Sequence, residues 1–295
     1  MIITILADNR FCNRGGSANK NQDLLTEHGF SCLLETNDGQ TMLFDLGQKV
    51  FIHNAEVLGK NLKELDALIL SHGHYDHSDG LSAFFTENTK TKLFASKHIF
   101  TDHFSKKTGT ARFIGLNEKN KNIIEKLPKT QKILFSKQSL VCKYKSGTNK
   151  HRIEVHGAIK QKHPLEKPSP LLFADADCTE SDTMLDETIL AIETDKGLFL
   201  ITGCGHAGFI NICETIRKRT RKKILAVLGG FHLEGVSKER LKATRDYIKK
   251  TGIEKIYPCH CTGDTEIEWL EKELPGIAQK VCVGDLIKLD SFEEN

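Results

Sequence analysis

The stretch SHGHYDHSDG, residues 71–80, places three histidines and two aspartates within ten residues. It follows residues 65–70, a short and mostly apolar run that is typical of a buried strand. Ser71 and Gly73 end that run, which predicts a tight loop at the end of the strand, where open α/β sheets commonly hold their sites. Imidazole and carboxylate groups are ligands of first-row metals, so this loop predicts a site for one or two ions. The candidate ligands in it are His72, His74, Asp76 and His77.

The composition is that of a soluble globular protein and narrows the possible functions. Of the 295 residues, 39% are hydrophobic and 27% are charged, and the formal net charge of +3 is too small to indicate a nucleic-acid partner. The first ten residues lack the basic start and long apolar stretch of a signal peptide. Since no apolar run approaches the ~18 residues of a membrane span, we expect a cytoplasmic protein with no membrane partner.

Nine cysteines and two basic runs have ordinary structural explanations. The cysteine count is odd and the chain has no Cys-x-x-Cys pair, so we predict mostly reduced, buried thiols.

The runs at 218–223 and 249–256 are rich in lysine and arginine, and both are typical of solvated helix ends.

Apolar periodicity predicts two halves in which strands and helices alternate. Strand patterns occur at 2–7, 30–35, 41–44, 67–70, 92–95, 188–194, 198–202, 224–228, 255–257 and 280–283. Helical patterns occur at 50–58, 82–85, 117–126, 209–219, 238–250 and 267–273.

Residues of about 128–183 differ from both halves. They hold four of the six prolines, together with many lysines, which predicts loops rather than regular elements. We interpret this stretch as an irregular proline-rich insert or connection within a single domain, 1–295. Short strands are expected in it at 132–135 and 152–156.

Polar residues also follow other predicted strands, each framed by glycine or proline. Because the carboxyl ends of parallel strands meet at one edge of a sheet, these residues are expected near the histidine-rich loop. They are Asp45, Cys204, His206, His232 and His260.

Together these motifs resemble those of the metallo-β-lactamase superfamily. His72-x-His74-x-Asp76-His77 is similar to its signature, and Asp45, His206 and His260 are similar to its further motifs. The resemblance covers almost the whole chain, with the proline-rich stretch as the exception. It implies a fold of the α/β (α+β) class, a four-layer αβ/βα sandwich with two mixed β-sheets inside, helices outside and metals at one edge.

A narrower set of motifs resembles one branch of that superfamily. These motifs are Asp8-Asn9, EHGFS (27–31), FDLGQ (44–48), GCGHAG (203–208), GGFHL (229–233) and HCTG (260–263). The named member of the branch joins dihydropterin-methyl diphosphate to an aminobenzene ribose phosphate and releases diphosphate, while most members carry a generic hydrolase label. The resemblance implies a metal-dependent hydrolase that uses a metal-bound water or hydroxide on a small phosphorylated or pterin-like substrate, or else that transferase.

The resemblance also implies a role for each candidate ligand. The first metal would be held by His72, His74 and His206. The second would be held by Asp76, His77 and His260. Asp45 would lie behind the histidine-rich loop and orient it through hydrogen bonds. Asp76 and His77 are the candidate catalytic residues, because Asp76 could accept the proton of a metal-activated water.

The chain departs from the superfamily pattern at one position. An aspartate usually lies between the two metals, whereas here strand 198–202 leads to Cys204. Cys204 could replace it, since thiolates bind zinc well, or could be a buried thiol beside the site. His232 is a possible ligand or substrate contact, and His28 could line the pocket. Two divalent ions are expected, zinc first, with iron, manganese or magnesium as alternatives.

The remaining histidines are expected to make local or surface contacts. They are His53, His98, His103, His151, His156 and His163. Cys259 and Cys261 flank His260 and would point away from it in an extended segment, so we do not predict them as ligands.

The sequence leaves two other function classes open. A metal-dependent nuclease usually carries an added nucleic-acid-binding domain and a more basic surface, neither of which is evident here. A non-catalytic binding protein would explain the missing aspartate. A small-molecule substrate fits the pattern best, while its identity and the oligomeric state are not indicated.

Overall fold

Sixteen strands and seven α-helices are formed by residues 1–12 and 23–289, the part of the chain that the computed structural model describes. The strands are β1 Ile2–Ala7, β2 Ser31–Glu35, β3 Thr41–Phe44, β4 Ala67–Ile69, β5 Lys92–Ser96, β6 Phe104–Ser105, β7 Arg112–Phe113, β8 Lys132–Phe135, β9 Gln138–Ser146, β10 Asn149–His156, β11 Leu172–Phe173, β12 Ile189–Glu193, β13 Leu198–Thr202, β14 Ile224–Gly229, β15 Lys255–Pro258 and β16 Leu286–Lys288. The helices are α1 Val50–Val57, α2 Tyr75–Ser78, α3 Leu81–Glu87, α4 Glu118–Lys126, α5 Phe209–Thr220, α6 Lys238–Thr251 and α7 Asp264–Glu273, with a 3₁₀ turn at His260–Thr262.

Two large mixed sheets form the centre of the molecule. The first has the strand order β16-β1-β2-β3-β4-β5-β8, and the second has the order β15-β14-β13-β12-β10-β9. A small third sheet, β11-β6-β7, lies apart from them. Each large sheet contains a run of parallel strands, namely β3, β4, β5 and β8 in one and β13, β14 and β15 in the other.

Alternation of apolar side chains along each strand builds the layers. In β3 and β4, Phe44 and Ile69 join a core cluster that also contains Phe199 and Ile201 of β13. Their neighbours Leu43 and Leu68 point to the other face of the first sheet, where α1, α3 and α4 cover them. Leu198 and Leu200 of β13 likewise pack against α5, α6 and α7. The predicted four-layer αβ/βα sandwich is confirmed.

The strand registers place the predicted site residues at one edge. Phe44 of β3 pairs with Ile69 of β4, so the residues that follow these two strands emerge side by side. In the second sheet Thr202 pairs with Gly229, and Gly229 pairs with Pro258. The loops after all five strands therefore leave from the carboxyl edges of the two sheets, where ligands of open parallel sheets bind.

Most predicted strands and helices are present, with two differences in the sheets. The stretch around 128–183 contains a long antiparallel hairpin, β9–β10, that extends the second sheet and is only partly irregular. Residues 280–283, which were predicted to form a strand, do not form one. Its residues Val281, Cys282 and Val283 are buried beside the core without strand pairing, and the last strand is β16. Burial alone produced the apolar pattern there.

The cysteines also depart from expectation in one pair. Cys12 and Cys282 form a disulfide, with Cα atoms 5.6 Å apart and 270 residues between them in sequence. Nothing local in the sequence indicates that proximity. The other seven cysteines are free thiols, as predicted. None of the helices in residues 1–12 and 23–289 is both long and apolar enough to cross a membrane.

Candidate metal centre

Three loops bring the candidate ligands together at the carboxyl edge of the sheets. The first follows β4 and runs into α2, whose single helical turn carries Asp76 and His77. The second follows β13 and carries Cys204 and His206, and the third follows β15 and carries His260. These five side chains are all buried, so contacts within the protein hold them in place.

One set of potential ligand atoms comes from Asp76, His77, Cys204 and His260, and these atoms lie within 4.8 Å of one another. His77 Nε2 is 3.1 Å from Cys204 Sγ and 3.1 Å from His260 Nε2. Asp76 Oδ2 is 3.3 Å from His260 Nε2. Two nitrogen donors bound to one tetrahedral zinc at about 2.1 Å lie roughly 3.4 Å apart, so this set has the spacing of ligands to a single ion.

Hydrogen bonds on the far side of two rings fix where their lone pairs point. His77 Nδ1 donates to Asp45 Oδ2 over 2.7 Å, and His260 Nδ1 donates to Asn9 Oδ1 over 2.9 Å. When both rings are neutral, as metal binding requires, both Nε2 atoms therefore present lone pairs, which face each other across 3.1 Å. That arrangement is repulsive unless a proton or a metal ion lies between them. Burial lowers the pKa of His77, but the carboxylates of Asp76 and Asp45 outweigh it and raise that pKa above its ordinary value.

A second set of potential ligand atoms comes from His72, Cys204 and His206, again within 4.8 Å of one another. Ser71 Oγ donates its single proton to Asp45 Oδ2 over 2.6 Å, so it accepts from His72 Nδ1, 2.8 Å away. His72 Nε2 therefore carries a lone pair and no hydrogen. Neither that atom nor either ring nitrogen of His206 has a hydrogen-bond partner. Buried nitrogens of this kind are costly unless a metal ion or a water molecule binds them.

His74 lies beside this second set but not within it. Its ring centre is 4.5 Å from that of His72 and 4.9 Å from that of His206, and its Nε2 atom has no hydrogen-bond partner. Burial, reinforced by neighbouring histidines, lowers the pKa of each of these three rings well below the ordinary value. Neutral imidazole is the form that binds metal.

Asp45 is held behind the histidine-rich loop in a strained conformation. Its φ of 56° lies in the left-handed region, which is unfavourable for a residue with a side chain. Its Oδ1 accepts from the backbone N–H of Ser71 over 2.7 Å, while its backbone carbonyl accepts from Ser31 Oγ over 2.8 Å. These bonds fix the carboxylate that orients His77 directly and His72 through Ser71.

His260 is held in a similar way. Its φ is 48°, its backbone N–H donates to Asp8 Oδ1 over 2.7 Å, and its carbonyl accepts from Arg10 Nη1 over 2.9 Å. With Asn9 on its ring, three consecutive residues of the amino-terminal strand end thus hold His260. Asp8-Asn9 is one of the motifs in the sequence, but nothing in the sequence predicts a role for either residue.

His103 forms a buried ion pair behind His74, where only local hydrogen bonding was expected. Its Nδ1 lies 2.5 Å from Asp182 Oδ2 and its Nε2 lies 3.2 Å from Asp186 Oδ2. Burial lowers the pKa of His103, but the carboxylates of Asp186 and Asp182 outweigh it and raise the pKa to about 10. Asp186 Oδ2 also accepts from the backbone N–H of Gly73 over 2.7 Å, so this ion pair is another anchor of the histidine-rich loop.

Two buried glutamates hold the loop that carries Cys204 and His206. Glu187 accepts from the backbone N–H groups of His206 and Ala207 over 2.5 and 2.8 Å. Burial raises the pKa of Glu187 to about 7, although those two hydrogen bonds work in the opposite direction. Glu166 accepts from the backbone N–H groups of Ile210 and Asn211 at the start of α5. No local signal pointed to either residue, because their partners lie 19–45 residues away in sequence.

The weaker candidates line the cleft without joining either ligand set. His28 Nε2 is 3.2 Å from Asp76 Oδ2, and its side chain is 55% exposed. The His232 ring centre lies 4.5 Å from that of His206. Cys261, which was not predicted as a ligand, also lines the cleft, and its thiol donates to the carbonyl of Cys204 over 3.3 Å.

The cleft over the two ligand sets has a volume of about 370 Å³, which suits a small molecule. Besides the candidate ligands, its wall contains three cationic side chains, from Arg10, Lys107 and Arg112. Lys107 pairs with Glu234 over 2.8 Å. The Arg112 guanidinium lies 5.3 Å from the centre of the Tyr75 ring, and we find no acidic partner for it among residues 1–12 and 23–289.

Comparison with known proteins gives consistent similarities. A sequence profile described as the metallo-beta-lactamase superfamily matches residues 26–129. The chain is 30% identical over 282 residues to a Methanocaldococcus jannaschii protein named 7,8-dihydropterin-6-methyl-4-(beta-D-ribofuranosyl)-aminobenzene-5'-phosphate synthase, with 92% of this chain and 93% of that protein covered. It is 35% identical over 240 residues to an uncharacterized protein of the same organism, with 80% and 84% covered.

A solved structure agrees with these similarities. A crystal structure described as a metal-dependent hydrolase of the beta-lactamase superfamily superposes with a TM-score of 0.74 and 26% sequence identity. The alignment covers 98% of each chain.

Proposed function

The chain belongs to the metallo-beta-lactamase superfamily, and from that premise we propose that it is a hydrolase that depends on two divalent ions, zinc in the first place. The observation that carries the proposal is the 3.1 Å approach of His77 Nε2 to His260 Nε2, while Asp45 and Asn9 hold the other nitrogen of each ring. The buried, unpartnered nitrogens of His72 and His206 support a second ion beside the first. The description of the 26% identical crystal structure as a metal-dependent hydrolase supports the reaction class.

The donor atoms suit zinc. Three imidazoles, from His72, His74 and His206, would hold one ion. A carboxylate and two imidazoles, from Asp76, His77 and His260, would hold the other. Nitrogen and oxygen donors of this kind form catalytic zinc sites that leave a position for water or substrate. His74 and His206 of the first group and Asp76 and His260 of the second line the cleft, so that such a position is accessible from it.

Ions of this kind polarise substrate oxygens and bring the pKa of bound water towards neutrality, which is the chemistry that hydrolysis requires. Burial raises the pKa of Asp76, but the neighbouring His77, His260 and His28 outweigh it and hold that pKa well below its ordinary value. Asp76 Oδ2 is therefore an anion beside the reacting position. His28 Nε2 donates to it, because Asn9 Nδ2 occupies the His28 Nδ1 lone pair. His28, whose side chain is 55% exposed, thus holds Asp76 in place from the solvent side of the cleft.

The cleft favours a small substrate with an anionic group. The Arg112 guanidinium has no acidic partner among the described residues and lies on the wall of the same cleft as both ligand sets. Arginine binds phosphate and carboxylate groups through paired N–H donors. The Tyr75 ring beside it offers a surface for a planar group. These contacts support a phosphorylated or pterin-like molecule as substrate.

A second candidate function is a transferase that releases diphosphate. It is favoured by the 30% identity to a protein named as a pterin-related synthase, over more than nine-tenths of both chains. The same ligand sets and the same cationic wall would bind a diphosphate leaving group. The two functions differ in whether water or an aromatic amine attacks the substrate.

Metal content per chain tests the proposal. Protein purified without an affinity-tag metal should contain close to two equivalents of zinc, iron or manganese by elemental analysis. The double variant His72→Ala, His206→Ala should lose at least one equivalent. His98→Ala is the matched control, because His98 lies outside both ligand sets, and should keep both. A folded protein that binds no metal after reconstitution would contradict the proposal.

The loaded protein then distinguishes the two reactions. Phosphomonoesters, phosphodiesters and cyclic phosphates should be tested for hydrolysis, with release of phosphate or alcohol as the readout. Dihydropterin-methyl diphosphate should be tested with and without the aminobenzene ribose phosphate. Diphosphate release that requires the amine would favour the transferase, and metal-dependent hydrolysis without it would favour the hydrolase.

A further inference from the structure

Cys204 is shared by the two ligand sets. Its sulfur lies within 4.8 Å of the ligand atoms of Asp76, His77 and His260, and also within 4.8 Å of those of His72 and His206. Among the described residues it is the one group that both sets contain. Its side chain is buried, with 3% of the residue exposed, and its Sγ lies 3.1 Å from His77 Nε2.

We propose that the Cys204 thiolate bridges the two ions of the proposed dinuclear centre, in the place where the superfamily usually has an aspartate. This inference rests on the proposed function, since it requires two bound ions. A thiolate sulfur has more than one lone pair and binds zinc at about 2.3 Å. One sulfur located between two ligand sets can therefore bind both ions, as a bridging carboxylate does through its two oxygens.

The backbone around Cys204 fixes where the sulfur lies. A Cβ on Gly203 would come within 2.1 Å of Ser71 Oγ, so a larger residue cannot precede the cysteine without displacing the Ser71–Asp45 hydrogen bond. A Cβ on Gly205 would lie 2.8 Å from the carbonyl oxygen of Gly230, and Gly205 has a φ of 68°. The cysteine thus sits on a loop with little freedom to move its sulfur out of both sets.

The alternative explanation is a buried thiol that only donates a hydrogen bond. Its acceptor would be His77 Nε2, 3.1 Å away. In that case the His77 lone pair would be used by the thiol and would not be free for a metal ion. The opposed lone pair of His260 would then have no cation to bind. The bridge satisfies all three groups together.

A bridging thiolate also changes which metals the site prefers. Soft sulfur favours zinc and cobalt over the oxygen-seeking ions magnesium and manganese. Replacing it with the carboxylate that the superfamily uses should move the preference towards manganese. Cys204→Asp should therefore still bind two ions, but with a higher ratio of manganese to zinc affinity than the wild-type chain.

X-ray absorption spectroscopy of the wild-type protein loaded with two zinc equivalents tests the bridge without any substitution. A bridging thiolate gives an average of one sulfur neighbour per zinc at about 2.3 Å. A sulfur bound to one ion only gives half a neighbour per zinc and would overturn the bridge. Two bound zincs with no sulfur neighbour would overturn the inference and leave the proposed function intact. A chain that binds no zinc would overturn both.

Cobalt substitution supplies the second test and identifies the sulfur. Protein loaded with cobalt(II) should show a sulfur-to-cobalt charge-transfer band in the near ultraviolet. The band should be lost in Cys204→Ser and Cys204→Asp but retained in Cys261→Ser, the matched control whose thiol lies beside the same loop. If the band is retained in Cys204→Ser and lost in Cys261→Ser, the sulfur ligand is Cys261 and not Cys204. That result would overturn the inference.

Discussion

The Nε2 atoms of His77 and His260 lie 3.1 Å apart, although the two residues belong to loops from different sheets. Asp45 and Asn9 hold the opposite ring nitrogens, so neither imidazole can turn its lone pair away without losing a hydrogen bond. A metal ion bound at this point would therefore join the two halves of the sandwich as well as serve the site. Stability and metal binding should be coupled for that reason.

Removal of metal should lower the thermal stability of the chain. A ligand that binds only the folded state at one hundred times its Kd adds about 2.7 kcal/mol to the unfolding free energy. Thermal unfolding followed by circular dichroism should show a lower midpoint after dialysis against a chelator, restored by zinc. Magnesium, which binds imidazole weakly, is the control and should restore little. An unchanged midpoint in chelated protein would argue against metal at the His77–His260 contact.

Asp45→Asn should weaken metal binding without removing any ligand. The amide has one acceptor oxygen, whereas the carboxylate accepts from the Ser71 backbone, the Ser71 hydroxyl and His77. Loss of such an orienting partner typically costs 10–100-fold in metal affinity. Competition against a chromogenic chelator measures that change directly. Asp177→Asn, in an exposed loop, should bind metal like the wild-type chain, and equal affinities for both variants would contradict the role of Asp45.

Glu187→Gln should selectively lower the affinity for the metal ion that His72 and His206 would hold. The glutamine side chain has one acceptor for the two backbone N–H groups of His206 and Ala207, so one buried donor is left unpaired at a cost of roughly 1–3 kcal/mol. We expect one retained equivalent of metal, held by the set around His77, and a looser second equivalent by titration calorimetry. Glu180→Gln, at an exposed position, is the control. Equal loss of both metal equivalents would contradict this selectivity and would show that Glu187 supports both metal-binding positions.

The residues at strand ends could be predicted from the sequence because each follows an apolar run directly. The histidine-rich loop, Asp45, His206 and His260 all carry that local signal. The residues that hold these side chains in place carry no such local signal. Asn9 is 251 residues from His260 in sequence, and Asp186 is 113 residues from Gly73. Only the packing of one sheet on the other creates those contacts.

Contacts between distant parts of the chain and exposure of one strand face also explain where the sequence-based predictions of strands, cysteines and His103 were wrong. The strand at Gln138–Ser146 contains lysines and serines because one of its faces is largely exposed, so its pattern resembled that of a loop. Cys12 and Cys282 are brought together by chain ends that meet only in the folded protein. His103 was expected to be an ordinary histidine because its two aspartates lie about eighty residues later in the chain.

Arg112→Ala should weaken the binding of anionic ligands in the cleft. The guanidinium stands on the wall of the site and is not engaged by an acidic side chain in the described part of the chain. Inorganic diphosphate is a suitable probe, measured by titration calorimetry on zinc-loaded protein. We expect roughly tenfold weaker binding, equivalent to about 1.4 kcal/mol, with unchanged metal content. Arg221→Ala, beyond the end of α5 and outside the cleft, is the control, and identical diphosphate affinities for the two variants would remove Arg112 from the proposed substrate site.

His156 should make the fold less stable in mild acid. It is 1% exposed, and neither of its ring nitrogens has a hydrogen-bond partner. Burial lowers its pKa from 6.5 to about 4, with Glu154 opposing the shift and Arg219 adding to it. Below pH 6.5 the unfolded chain binds a proton that the folded chain does not bind until about pH 4. The unfolding free energy should therefore fall as the pH drops through that window, by roughly 3 kcal/mol in all.

His156→Leu isolates this contribution, because leucine does not titrate. Urea unfolding of metal-free protein should be measured at pH 7, 6, 5 and 4 for both chains, so that protonation of the metal-site histidines affects them equally. The wild-type chain should lose more stability than the variant between pH 7 and pH 4, and the difference should level off below pH 4. Parallel curves for the two chains across the whole range would show that His156 is protonated as readily in the folded protein as in the unfolded chain.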